Sequence, residues 1–290
     1  MSTFNADLVE DLARQKVVLF LGAGVSSSAV TRSGSRIKGW EDFLLSASQK
    51  VRTDIGNQAK GLITKKDYLL ACEILQNSLR DEWDNLVSEE FGQMAEPSRL
   101  HEALISLDQR IILTTNFDKL IDSCWESKVG SSTHLPRIIS KIDSSIFNIL
   151  KDHSGKYLLK IHGTVDMPET LIFSRSEYIR LAFGNAQYTS FLEMLLLNYT
   201  FLFVGFSMED PAICSLMEMY ALRYKKARPH YLFSGEGTPE NILEINRNLR
   251  KLKIIEYDSS NNHEKLPDVI SSLSIAARNK KKEILVDSLK

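Results

Sequence analysis

The sequence predicts an α/β fold: a doubly wound, mostly parallel sheet with helices on both faces and a helical insertion near its start. Three observations predict it. The apolar runs in "KVVLFLG", "RIILTTNFD", "YLLKIHGTVD" and "TFLFVGFSMED" are continuous rather than alternating, the pattern of strands buried on both faces. Helical patterns separate these runs, and parallel strands need such crossovers. Each run stops at a polar tip that folding does not require, and in an open α/β sheet ligands lie at the carboxyl ends of the strands.

The elements follow in chain order. "LVEDLARQ" is a short amphipathic helix, with Leu8 and Leu12 on one face, before the first strand at 16–22. From 40 to about 107 the pattern is helical, without a strand-like run, and reads as an insertion between the first two sheet strands. A second strand at 110–115 precedes the helix "KLIDSCWES". "PRIIS" predicts a short strand, "SSIFNILKD" a helix, "YLLKI" a third clear strand and "ETLIFS" a further one. "SEYIRLAFGNAQYTSFLEMLLLN" is mostly helical. After "TFLFV" a helix spans 211 to about 225, with Pro211 suited to its first turn. "PHYLFS", the helix "TPENILEINRNLR", the strand "LKIIEYD" and a helix over about 266–277 complete the pattern. The basic run in 278–290 reads as a tail or a solvated helix end.

Composition narrows the class. The chain has 290 residues, 43% hydrophobic and 25% charged, enough for one large domain or a domain with an insertion. A net charge of -1 gives no basis for bulk nucleic-acid binding. No apolar run reaches the roughly 20 residues that span a bilayer, and no membrane partner is expected. "MSTFNADLVEDLARQK" lacks the basic start and apolar core of a signal peptide, so a cytoplasmic location is expected. Cys72, Cys124 and Cys214 are isolated and form no C-x-x-C pair; they read as buried reduced thiols, and no metal is expected.

The tips carry the chemistry. Gly22 and Gly24 allow a tight turn and close approach of a ligand to bare backbone. The N–H groups at the following helix start can hold a phosphate, and Ser26 adds a hydroxyl donor. Read alone, this G-x-G also fits a strand–helix turn with no ligand. "GFSMED" supplies a second glycine–serine turn, and two such turns suit the two halves of a dinucleotide. Glu209 or Asp210 serves there at least as a helix cap. Asn116 fits an Asx-turn or a catalytic amide, and Asp118 fits an N-cap or a ligand contact. His162, at a strand tip beside Gly163, reads as a structural histidine or as a base titrating near neutrality.

In combination, "GAGVS", "TTNFD", "KIHG" and "GFS" resemble the sirtuin-like family of NAD-binding proteins, in the family's order and over about 17–258. "FSRSEY" looks like the bacterial branch that acts in phage defence. The resemblance implies a Rossmann-like fold with NAD across the strand tips. It implies that Gly22, Ala23, Gly24 and Ser26 form the phosphate and ribose loop. Asn116 and His162 match the family's catalytic pair, Asp118 the acid on the nicotinamide carboxamide, Thr115 a neighbouring NAD contact, and Gly205 and Ser207 the second NAD-contacting turn. Deacylating sirtuins carry a zinc ribbon with two C-x-x-C pairs; this chain has none, and the 40–107 helices do not look like their small domain.

The resemblance therefore implies an NAD hydrolase that depletes NAD, with NAD as substrate. Nicotinamide leaves a pyridinium as a neutral molecule, so the reaction needs no general acid and no second carboxylate of the glycosidase kind. His162 would take a proton from water or from a ribose hydroxyl. Because free NAD hydrolysis is toxic, control by homo-oligomeric assembly or by a partner, such as a translocase-type ATPase or an Argonaute-like sensor, is expected. The alternatives are an ADP-ribosyl transferase or deacylase on the same site, a non-catalytic NAD or ADP-ribose sensor, and a nucleotide-free scaffold.

Overall fold

The computed structural model describes residues 4–31, 34, 36–93, 95–129 and 135–289. Its strands are β1 (Val17–Leu21), β2 (Val30–Thr31), β3 (Ala95–Glu96), β4 (Ile111–Thr114), β5 (Arg137–Ile139), β6 (Tyr157–Lys160), β7 (Thr200–Val204), β8 (His230–Gly235) and β9 (Leu252–Tyr257). Seven of them form one sheet in the order β5-β6-β4-β1-β7-β8-β9, with every neighbouring pair parallel. The connection leaving β1 runs towards β4, and the one leaving β7 runs towards β8. The switch point of this doubly wound sheet is therefore the crevice between the tips of β1 and β7.

The helices are α1 (Ala6–Ala13), α2 (Ala23–Ser26), α3 (Trp40–Ser48), α4 (Thr53–Thr64), α5 (Tyr68–Leu79), α6 (Asp81–Phe91) and α7 (Arg99–Ser106). They continue with α8 (Leu120–Val129), α9 (Arg175–Gly184), α10 (Ala186–Asn198), α11 (Pro211–Arg223), α12 (Glu240–Asn248), α13 (Ser260–His263) and α14 (Leu266–Asp287).

Alternation along each strand feeds two cores. Val18 and Phe20 of β1 face a layer built from α10, α11 and a 3-10 segment, Ser144–Leu150. Val17, Leu19 and Leu21 face α1, α7, α8 and α14. A third cluster fills α3–α6 with Phe43, Trp83 and Phe91. Phe117, from the loop after β4, and Leu171 and Phe173, from the loop after β6, enter that third cluster. The insertion is thus packed onto the loops that follow two sheet strands.

Two local expectations change, and an open one is decided. "ETLIFS" is not a strand: Pro168–Thr170 is a 3-10 turn, and the N–H groups of Phe173 and Ser174 donate to the Glu177 carboxylate rather than to a ladder. Its apolar alternation is real, but Leu171 and Phe173 are buried against helices. The 40–107 stretch is not wholly helical, because β3 pairs antiparallel with β2, a ladder too short to show a period. α7, at its end, packs on the sheet through Leu100, Ala103 and Leu104. The basic run after 277 continues α14 as an exposed helix end.

Candidate active site at the strand tips

The β1 and β7 tips are built into each other. Gly22 N donates to Val204 O at 3.0 Å, and Gly24 N donates to Gly205 O at 2.9 Å. A Cβ on Gly22 would stand 2.4 Å from Gly205 O, and one on Gly205 would stand 2.6 Å from Val25 N. Gly205 also has φ +60°, a left-handed conformation that side chains resist. These glycines are required by the contact between the two turns, whatever lies above them.

The β4 and β6 tips are held side by side. Thr114 pairs with Lys160 in register, so Asn116 and His162 each lie two residues beyond a paired position. Val165 N donates to Phe117 O at 3.0 Å and keeps the two loops together. Asn116 is half-buried and its Nδ2 donates to Gly22 O at 2.9 Å. A carbonyl can only accept, which fixes the amide orientation and leaves Oδ1 without a partner among the described residues.

His162 is buried, 6% exposed, and its Nε2 has no hydrogen-bond partner among the described residues. That atom stands 3.5 Å from Asp210 Oδ2. Asp210 Oδ1 caps α11 by accepting from Ala212 N and Ile213 N, both at 3.0 Å, and it also accepts from the Tyr178 hydroxyl. The Tyr178 ring stands edge-on to the His162 ring, with centroids 5.9 Å apart. Burial lowers the His162 pKa while Asp210 works against that shift. Burial, followed by Asp210, pushes the Tyr178 phenol up, so it remains a donor.

A cleft of about 1260 Å³ lies over these tips. Of the expected residues, Ala23, Gly24, Thr115, His162, Gly205 and Ser207 line it. Gly22, Ser26, Asn116 and Asp118 are not among its lining residues. Ser26 and Asp118 are buried and bonded to each other, Oγ to Oδ2, at 2.5 Å, and Asp118 Oδ1 accepts from Leu120 N at 3.0 Å. The cap reading of Asp118 accounts for its bond to Leu120. Asp210 and Tyr178 are the functional candidates that residue-by-residue reading passed over. Asp210 carried a signal, as a possible cap, but its second oxygen's target was not visible in one dimension.

The insertion reaches the same cleft. Lys66 pairs with Glu209 of the GFSMED turn at 3.1 Å. The Trp40 ring stands edge-on to Phe117 and Phe173, with centroids 5.9 and 5.6 Å apart. Cys72, Cys124 and Cys214 are buried thiols, and burial raises the pKa of each, Cys124 and Cys214 to about 11. Among the described residues, no group of three or more His, Cys, Asp or Glu side chains could hold a metal ion, and no helix is long and apolar enough to cross a membrane.

Fold and site together define a doubly wound α/β protein with a cleft at its switch point. The chain belongs to the SIR2-like domain family, whose model matches residues 110–256, just over half of it. That match contains the β4, β6 and β7 tips. The chain is 26% identical over 228 residues to the NAD(+) hydrolase ThsA of Cytobacillus dafuensis, covering 78% of this chain and 42% of that protein. It is 23% identical over 261 residues to the NAD(+) hydrolase ThsA of Bacillus cereus (strain MSX-D12), covering 89% and 52%. It is 22% identical over 260 residues to Defense-associated sirtuin 2 of Bacillus subtilis, covering 87% and 24%. The chain thus spans about half the length, or less, of these relatives.

Proposed function

We propose that this chain is an NAD hydrolase, cleaving the bond between nicotinamide and ribose, and that it serves as an NAD-depleting effector of defence against phage. One observation carries the reading. His162 lines a cleft flanked by two glycine turns, with its buried Nε2 facing Asp210, and the β4–β6 register sets Asn116 level with it on the neighbouring strand tip. The names of the relatives point the same way. The cleft exceeds the roughly 300–1,000 Å³ of drug-sized pockets, leaving room for a dinucleotide.

In this reading the pyrophosphate lies against the side-chain-free backbone of Gly24 and Gly205, which lines the cleft. Asn116 Oδ1 accepts a hydrogen bond from the attacking water or a ribose hydroxyl. It carries no charge and places the nucleophile without opposing the positive charge that grows on the ribose. The depressed pKa keeps His162 neutral at pH 7 and able to accept the proton. Asp210 Oδ2 then faces the imidazolium and stabilises its charge, as the buried carboxylate of a catalytic triad does. Asp118, with Ser26, shapes the nicotinamide end from below.

Activation through homo-oligomeric assembly or through a defence partner belongs to the same proposal, as does action in the cytoplasm. The test is product analysis. The active, assembled protein should release nicotinamide and ADP-ribose in equal amounts without any acceptor. Product that appears only with an added protein or nucleic-acid acceptor would instead make it a transferase or deacylase. In cells, NAD should fall after infection, and an Asn116→Ala strain should keep its NAD.

A further inference from the structure

We propose that Lys160 is a positioning residue: its ammonium holds the 115–118 turn against β6, so that Asn116 stays in place beside His162. The inference rests on reading those two residues as the NAD-cleaving pair.

Lys160 ends β6 and is wholly buried. Its Nζ donates to Asp122 Oδ2 at 3.0 Å and to Oδ1 at 3.3 Å, and it also donates to the main-chain carbonyl of Asp118. Asp122, on α8, is 3% exposed. Burial raises its carboxyl pKa and Lys160 opposes that shift.

Folding alone does not call for a lysine here. Replacing a buried ion pair by apolar side chains of similar volume is often neutral or stabilising, and the other β6 residues are Tyr157, Leu158 and Leu159. The contact an apolar side chain cannot reproduce is the one to Asp118 O. That carbonyl lies two residues beyond Asn116, in a turn pinned at successive positions. Asn116 bonds Gly22 O, Phe117 is packed 4.5 Å from Phe173 between ring centroids, and Asp118 bonds Ser26 on one side and Lys160 on the other. Lys160 is the side-chain link from this turn to β6 itself, whereas the bond from Val165 N to Phe117 O joins the turn to the loop beyond His162.

The test compares Lys160→Met, the double variant Lys160→Met/Asp122→Leu, and Asp122→Asn. Lys160→Met strands a buried carboxylate and should lose stability. The double variant removes both charges and should melt near the wild type. Its kcat should nevertheless fall about tenfold or more, since displacements of about 1 Å can cost two orders of magnitude, while KM changes little. Hydrogen exchange should quicken in the peptide covering 115–120. Asp122→Asn keeps the carbonyl contact and should keep kcat near wild type at a lower Tm. A folded double variant with wild-type kcat and unchanged exchange in the turn would overturn the proposal. So would an Asp122→Asn protein that folds but loses kcat as the double variant does. If the active, assembled wild type releases no nicotinamide, the functional reading fails, and the exchange data still decide whether Lys160 holds the turn.

Discussion

The two pairs of strand tips answer different demands. At β1 and β7 the glycines interlock backbone to backbone, and every close approach there is explained by the partner turn. At β4 and β6 the turns carry His162 Nε2, buried without a hydrogen-bond partner among the described residues and 3.5 Å from Asp210 Oδ2, and Asn116, whose amide is bonded through Nδ2 alone. Leaving a buried polar group unpaired costs roughly 1–3 kcal/mol. The glycine turns are therefore accounted for by their own packing, whereas the β4 and β6 tips hold polar atoms that this packing does not use. Of the two regions, the second is the better place to look for chemistry.

Substitutions should separate the two regions. The largest effect on turnover belongs to Asn116→Ala, which should lower nicotinamide release by about 10²–10⁴-fold, the range for a positioned catalytic group, with little change in Tm. Gly205→Ala should do the reverse, destabilising the protein by about 2 kcal/mol or more through left-handed strain and the clash with Val25 N. Denaturant unfolding measures that loss. A stable Gly205→Ala protein would show that the two turns do not need their close approach.

A smaller effect is expected for Asp210→Asn. Asn still caps α11, so stability should hold, yet kcat should fall about tenfold or more as the imidazolium loses its carboxylate. Asp210 raises the His162 pKa, so the acid limb of the pH–rate profile should move to lower pH in this variant. An unmoved limb would remove Asp210 from the mechanism.

The smallest effect concerns pH and stability. Burial depresses the pKa of His162, takes His101 to about 4 and takes His230 to about 3. The unfolded chain takes up these protons near the ordinary histidine value of about 6.5. The contribution of these neutral histidines is therefore full above that value and is lost as pH falls towards the folded values. Tm should decline across pH 6.5 to 4, and His101→Gln should flatten the slope. A Tm that does not change over that window would contradict the assignment.

Much of this was legible in one dimension, for physical reasons. Strands buried on both faces leave continuous apolar runs, and β1, β4, β6 and β7 lie within the runs that predicted them. Polar residues at their ends, Asn116 and His162 among them, stand out against that background. Pairings were not legible. Ser26 with Asp118, Asp210 with His162, and Lys160 with Asp118 join residues dozens of positions apart, and each residue alone has a bland use as a cap or a surface group. "ETLIFS" misled because the same alternation buries Leu171 and Phe173 in a helical layer.

The central claim is that the β4 and β6 tips cut a ligand held over the β1 and β7 turns. The most direct measurement is NAD binding beside nicotinamide release in His162→Ala, with the wild type in parallel. The account predicts that NAD binds the variant within a few-fold of the wild-type affinity while release is lost. Release that persists in the variant would contradict it.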